Sequence, residues 1–200
     1  MIVRLAGEQD RPGLLDLAGQ VEQWFGPMVD DPGFRATVDR HIRRATALVA
    51  IAADEAGLLG GLLFSARPPT YHVRWLVVSE RVRGQGIGCA LMAEAMRRFV
   101  TGPGTVEVVT FGADHPGAVA SGARVFYEQL GFTPAEAAEP GPEGGSRQVF
   151  RKIIARPARP PRRRARPPRQ PDTTPRPSAG LHVAWVTSAW DDGAGRQPHS

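Results

Sequence analysis

Three glycines within five positions lie between a short apolar run and a helical pattern in this 200-residue chain. The loop consists of Arg83, Gly84, Gln85, Gly86, Ile87 and Gly88. Backbone N–H groups in the first turn of a helix have no intrahelical acceptor, and together with the helix dipole they attract anions. Glycines let a phosphate approach that backbone without meeting a Cβ atom. The spacing therefore predicts that this loop binds a phosphorylated cofactor.

The segments on either side of the loop are the ones needed to position it. Residues 73–78 form a β-branched run that is typical of a buried strand. After the loop, apolar residues recur at i, i+4 and i+8 and indicate the buried face of a helix: Ile87, Leu91 and Ala95. A glycine triplet alone would be weak evidence, but strand, loop and amphipathic helix in succession are more specific. Cys89, in the first turn of that helix, is expected to be a small buried packing residue.

Three phosphate-binding patterns compete for this loop. A P-loop requires a lysine at its end, and the only lysine in the chain is Lys152. The dinucleotide fingerprint GxGxxG would need its third glycine at position 89, where the chain has Cys89. The third pattern is an arginine or glutamine, two residues, a glycine, one residue, and a glycine or alanine. It is matched by Arg83, Gly86 and Gly88.

With this third pattern the chain resembles the GCN5-related N-acetyltransferase (GNAT) family, whose signature loop follows the fourth strand. A second segment, ARVFYEQLGF at 123–132, is similar to the family's helix ending in FYxxxGF and is matched by Phe126, Tyr127, Gly131 and Phe132. The resemblance covers residues 1–154. It implies an α/β (α+β) fold with a mixed, mostly antiparallel central sheet flanked by helices, and with splayed fourth and fifth strands.

The resemblance also implies how the acyl-donor cosubstrate, acetyl-CoA, is held. Its pyrophosphate is expected on the amides of residues 83–88, and its pantetheine arm is expected to pair with the backbone of Val77 and Val78. Tyr127 is expected to be the general acid that protonates the departing thiolate. The family often has an asparagine seven residues before this tyrosine, where the chain has Ala120. The contact on that side is therefore expected to be weaker or to come from Ser121.

No motif identifies the general base. An alkylamine is mostly protonated at neutral pH, so the reaction needs a carboxylate or histidine that takes up a proton. The candidates are His72, Glu80, Glu107, Asp114 and His115. The aromatic and acidic residues 24–31 could line the site of a cationic acceptor, as this loop often does in the resembled family, or could serve only as a helix connector.

The function implied by the resemblance is acetyl transfer to a primary amine of a small molecule or a peptide, by direct attack in a ternary complex. The alternative is a non-catalytic acyl-CoA-binding or sensing module on the same fold. Ala120 and the missing base favour that alternative. A homodimer is left open.

Hydrophobic periodicity, read without reference to any family, gives the element order β α α β β β α β α β β. A hairpin turn is expected at 54–57, a single helix over 118–130, and a surface loop over 134–145. A doubly wound sheet would alternate strand and helix more strictly.

The composition predicts a cytoplasmic protein that binds no metal. The chain is 42% hydrophobic, but no apolar run approaches the roughly 18 residues that span a membrane. The N-terminus lacks a signal-peptide pattern. One cysteine excludes a disulfide framework and a cysteine-based metal site.

The positive charge is concentrated in a C-terminal tail, residues 155–200, with nine arginines against three aspartates. The proline and arginine content of the tail predicts disorder. Nucleic acid is expected to bind only weakly, through this tail, because no aromatic residue lies between Arg156 and Gly180 to stack on bases. The apolar segment 181–190, LHVAWVTSAW, is left unassigned.

Overall fold

The structure, a computed structural model, describes residues 1–52, 57–141 and 144–155, and the backbone of residues 186–187. The strands are β1 (Ile2–Leu5), β2 (Ala47–Ile51), β3 (Leu58–Arg67), β4 (Thr70–Val78), β5 (Gly104–Phe111), β6 (Thr133–Ala138), β7 (Arg147–Ile154) and β8 (Val186–Thr187). The helices are α1 (Arg11–Gly19), α2 (Glu22–Phe25), α3 (Pro32–Arg43), α4 (Ile87–Phe99), α5 (Pro116–Ser121) and α6 (Ala123–Gln129). No helix in these ranges is long and apolar enough to cross a membrane.

The strands form one mixed sheet in the order β1-β2-β3-β4-β5-β7-β6, and β8 pairs with β4 away from that path. Neighbouring strands along the path are antiparallel except for the parallel pair β4–β5. The expected mixed, mostly antiparallel sheet flanked by helices is therefore confirmed. The order of the elements agrees with the prediction except for three features that were not predicted: the short helix α2, the division between α5 and α6, and β8.

Three local predictions were wrong. The helix predicted over 118–130 is divided into α5 and α6 by Gly122, whose φ of 64° is left-handed. The loop predicted over 134–145 begins only after β6, an exposed strand that pairs with β7 and lacks an apolar alternation. The loop predicted at 24–31 contains the end of the short helix α2. Most of the turn predicted at 54–57, and the tail apart from residues 155 and 186–187, lie outside the described residues.

Two adjacent glycines in β3 let helices pack closely on both faces of the sheet. A Cβ atom on Gly60 would lie 3.2 Å from Ile87 of α4. A Cβ atom on Gly61 would lie 2.5 Å from Leu14 of α1. Because successive residues of a strand face opposite sides, α4 covers one face here and α1 the other. Glycine is required where each helix approaches the strand.

β4 and β5 separate partway along their length. Their parallel pairing ends at Val73 and Val108. The next residue of β4, Arg74, is an extra residue in a β-bulge against β3, and bulges bend the strand that carries them. β4 continues to Val78 and β5 to Phe111 without pairing with each other. The predicted splay of the fourth and fifth strands is confirmed, and it opens at the bulge.

Candidate active site

The glycine loop ends in a left-handed turn at the N-terminus of α4. Gly84 and Gly86 have φ values of 77° and 79°, in the region that glycine adopts most readily. Gln85 and Gly86 are exposed, and a Cβ atom on Gly86 would meet nothing within 4 Å. Within the described chain, no backbone N–H from 84 to 89 donates a hydrogen bond to another residue. These donors at a helix N-terminus have the geometry that an anion site requires.

The remaining residues of the loop fix its position. The Arg83 guanidinium donates to the Glu80 carboxylate at 2.7 Å and lies over the Trp24 ring, 5.7 Å from its centroid. Ile87 and Gly88 are buried at the start of α4. The loop is therefore tied to α2 through Arg83 and to the sheet through Ile87.

The end of β4 presents an open backbone edge beside this loop. The side chains of Val77 and Val78 are buried, and on one edge their backbones lie opposite Gly61 and Gly60 of β3. On the other edge, facing the gap toward β5, no described strand is in register with either valine. Buried N–H and C=O groups need partners, so this edge suits an extended ligand such as a pantetheine arm.

Tyr127 of α6 carries a buried hydroxyl without a partner among the described residues. Its ring packs edge-on against Phe132, with 5.3 Å between the centroids. Burial raises the pKa of Tyr127 well above its ordinary value, so the phenol stays protonated at neutral pH. On β5, against which α6 packs, the Thr110 hydroxyl is likewise buried and unpartnered in the described chain. Each of these hydroxyls can donate a hydrogen bond and accept one.

Three small residues near the expected cofactor site have plain structural roles. Ala120 is exposed on α5, and Ser121 is buried, with its Oγ accepting from the Ala123 amide at 3.3 Å. The Ser121 oxygen is therefore engaged at the start of α6. Cys89 is exposed, so its expected burial was wrong. It lies two residues after Ile87 and points away from the buried face of α4.

A stack of three rings joins the loop at 24–31, proposed for the acceptor, to the loop that carries the candidate bases Asp114 and His115. Phe25 of α2 stacks on Phe111 at the end of β5, with centroids 4.8 Å apart. Phe111 stacks in turn on His115, at 4.4 Å. Residues 24–31 and 114–115 therefore meet at the open end of the splay. The only sequence feature that pointed to this contact was the aromatic character of Phe25 and Phe111.

Three of the candidate bases already have hydrogen-bond or ion-pair partners. His115 Nδ1 accepts from the Gly117 amide at 2.9 Å, so the neutral ring carries its proton on Nε2 and has no lone pair to offer. The Asp114 carboxylate accepts from the Ser146 hydroxyl at 2.5 Å, and this bond holds the pKa of Asp114 below its usual value. Glu80 is paired with Arg83. Each of these side chains is therefore already held by a hydrogen bond or an ion pair.

His72 and Glu107 form a different kind of pair, at the closed end of the splay. They lie opposite each other on β4 and β5, one residue pair before the parallel pairing ends. The distance from His72 Nε2 to Glu107 Oε2 is 3.5 Å. Both are only partly buried. The other Glu107 oxygen accepts from Arg151 at 2.7 Å, and Arg151 also pairs with Glu136 at 2.6 Å. The sequence named both His72 and Glu107 as candidates but could not show that they are neighbours.

The base candidates and Tyr127 lie on opposite faces of the sheet. His72 and Glu107 alternate with the buried residues Val73 and Val108 and so face the other way. β4 and β5 therefore carry a polar, partly open face on one side of the splay. Tyr127 belongs to a helix that covers the opposite face, the one that includes Val108 and Thr110 of β5.

The candidate site thus combines an open strand edge, a glycine loop at a helix N-terminus and a buried phenol. Residues 45–134 match the family described as Acetyltransferase (GNAT) domain. Among curated proteins, none matches this chain.

Solved structures share the fold at low sequence identity. An acetyltransferase of the GNAT family from Desulfovibrio desulfuricans is 20% identical with a TM-score of 0.59, over 77% of this chain and 99% of that one. An aminoglycoside 6'-N-acetyltransferase complexed with coenzyme A is 18% identical with a TM-score of 0.58, over 78% and 99%. The NatC complex bound to Gag peptide and CoA matches at 14% identity and a TM-score of 0.59, over 77% and 98%.

Proposed function

We propose that this protein is an N-acetyltransferase that moves an acetyl group from acetyl-CoA to a primary amine by direct attack in a ternary complex. The observation that carries the proposal is the gap between β4 and β5, which begins at the Arg74 bulge and ends beside the glycine loop. Residues 1–154 are assigned to the acetyltransferase domain and residues 155–200 to a tail.

The donor site is assigned to backbone groups. The amides of residues 84–88, with Arg83 anchoring the loop, hold the pyrophosphate, because they are free donors at the N-terminus of α4. The open edges of Val77 and Val78 hold the pantetheine arm in an extended conformation. Acetyl-CoA supplies an activated acyl group as a thioester. Amides of β4 next to the bulge are suitably placed to polarise its carbonyl, as in an oxyanion site.

Protons enter and leave the reaction on opposite faces of the sheet. On the polar face, His72 takes up the amine proton, directly or through a water molecule, while Glu107 3.5 Å away stabilises the imidazolium that forms. On the other face, Tyr127 donates its proton to the departing thiolate. The raised pKa of Tyr127 keeps that proton in place until the thiolate forms.

The acceptor is assigned to the class of cationic amines. Glu107 and Glu136 line the polar face near the splay, although both share Arg151. Asp30 lies in the loop that meets the open end of the splay, and its side chain is 95% exposed. Its carboxylate makes a long ion pair, at 3.4 Å, with one nitrogen of Arg35. The related fold is used by an aminoglycoside acetyltransferase and by the NatC complex, which is bound to a peptide. Both small-molecule and peptide amines therefore belong in the test.

A thiol-release screen tests the proposal. The full chain is incubated with acetyl-CoA and a panel containing aminoglycosides, polyamines, and peptides with a free N-terminus or a lysine. We expect amine-dependent release of free coenzyme A, with the acetylated amine identified by mass spectrometry. Absence of acetyl-CoA binding in isothermal titration would contradict the assignment of the donor site.

A non-catalytic acyl-CoA-binding module is the second candidate. The observation that favours it is that Glu80, Asp114 and His115 all have partners within the protein, while Ala120 stands where the resembled family often has an asparagine. Binding of acetyl-CoA without thiol release across the whole panel would support this candidate over the enzyme.

A further inference from the structure

We propose that the C-terminal segment containing Val186–Thr187 binds in the gap between β4 and β5 and competes there with the pantetheine arm of acetyl-CoA. The tail would then control access to the chain's own donor site. The competition rests on the proposed function, because it requires acetyl-CoA to use the same strand edge.

The pairing of β8 identifies the occupied position. On one edge β4 is fully paired with β3, so any further strand must lie on the edge that faces β5. Thr187 lies opposite Trp75 and Val186 opposite Leu76, in antiparallel register. β8 also contacts β5. β8 therefore lies between β4 and β5, just beyond the Arg74 bulge.

The gap has room for a single extended chain at this level. Neighbouring strands in a sheet are about 4.8 Å apart, so a gap bridged by one strand between β4 and β5 is filled across its width. A pantetheine arm that runs from the glycine loop along Val78 and Val77 reaches Trp75 and Leu76 at its sulfur end. The peptide and the thioester end of the cosubstrate therefore exclude each other.

The glycine loop is not part of this contact. β8 pairs with residues 75 and 76, whereas the anion site comprises residues 84–88. A ligand with a pyrophosphate but no pantetheine arm should therefore bind equally well whether or not the gap is occupied. ADP has these properties, and it separates competition in the gap from a general effect of the tail.

The experiment uses the full chain with two prolines in place of the paired residues, Val186→Pro with Thr187→Pro. Proline has no N–H to donate to the ladder, so the pairing with β4 is lost. The matched control carries Thr173→Pro with Thr174→Pro, two prolines elsewhere in the same tail. Affinities for acetyl-CoA and for ADP are measured by isothermal titration. Amide hydrogen exchange is followed at Trp75 and Leu76 without ligand.

We expect the paired-site variant to bind acetyl-CoA about three- to tenfold more tightly than wild type, since one or two net backbone hydrogen bonds no longer hold the gap closed. Its ADP affinity should be unchanged, and the control should behave as wild type. Successive N–H groups of a strand point to opposite edges, so faster exchange is expected at whichever of the Trp75 and Leu76 amides faces the gap. Equal acetyl-CoA affinity for all three proteins, or unchanged exchange at Trp75 and Leu76, would overturn the competition alone. Failure of all three to bind acetyl-CoA would overturn the proposed function, and the competition with it.

Discussion

The two sides of the splay differ in the groups that form them: backbone on one side and side chains on the other. The proposed donor side, comprising the open edge of Val77 and Val78 and the amides of residues 84–88, is made almost entirely of backbone. The proposed acceptor side, comprising the His72–Glu107 pair and the Phe25–Phe111–His115 stack, is made of side chains from separate elements. A site made of backbone would bind a feature common to all acyl-CoA donors. A side-chain site can vary with the acceptor while the donor side stays the same.

The largest effect is expected from blocking the donor side at Gly86. Gly86→Val places a β-branched side chain at a φ of 79° and fills the space next to the amides. We expect acetyl-CoA binding to fall below detection in isothermal titration. The control is Gly102→Val, because Gly102 also has open space around it but does not have a left-handed φ. Acetyl-CoA affinity equal to wild type in Gly86→Val would remove the loop from the donor site.

The next largest effect is expected at Tyr127, whose side chain belongs to the proposed donor side although the rest of that side is backbone. Tyr127→Phe removes the proton donor, and we expect kcat to fall by about 10²–10⁴-fold with little change in the Kd of acetyl-CoA. Tyr71→Phe is the matched control, because Tyr71 is equally buried and its hydroxyl also has no partner among the described residues. A wild-type kcat in Tyr127→Phe would show that another group protonates the thiolate.

The same contrast explains what could be predicted from the sequence. Gly84, Gly86 and the amphipathic helix after them are local features, and the backbone geometry they produce follows from residue type and spacing. The order of elements and the splayed strands also followed from local patterns and the family resemblance. The Arg74 bulge did not, because a bulge depends on how two strands are aligned.

The acceptor side could be predicted only as a set of candidates. His72 and Glu107 are far apart in the chain and become neighbours through the parallel register of β4 and β5. The engagement of His115 by Gly117 depends on a local helix cap that the sequence did not reveal. Gly60 and Gly61 carried a signal that was missed, since consecutive glycines inside a strand indicate close approach of other elements on both faces.

An intermediate effect is expected from the base. His72→Gln keeps a polar side chain but cannot take up a proton, so we expect kcat to fall by about 10²-fold with an unchanged Kd for acetyl-CoA. The effect should shrink as the pH is raised, because more of the amine is then unprotonated without help. His115→Asn is the control: asparagine can still cap α5, and less than a threefold change is expected. A larger loss of kcat in His115→Asn than in His72→Gln would indicate that His115, and not His72, is the base.

The smallest effects are expected from substitutions of Gly60 and Gly61, the two adjacent glycines of β3. A Cβ atom on Gly60 would lie 2.9 Å from the Val77 carbonyl oxygen and 3.2 Å from Ile87, so Gly60→Ala displaces both parts of the donor side. A Cβ atom on Gly61 would lie on the other face of β3, 2.5 Å from Leu14 of α1 and 3.0 Å from the Trp75 ring.

Both alanine variants should lower the free energy of unfolding, by about 1–3 kcal/mol each in urea titrations, because each overpacks a close contact. Their functional effects should differ. Gly60→Ala should raise the Kd of acetyl-CoA severalfold, whereas Gly61→Ala should leave that Kd unchanged and raise the KM of the amine. If both variants weakened acetyl-CoA binding equally, the two sides would be coupled through β3 rather than independent. The division between a constant backbone site and a variable side-chain site would then no longer hold.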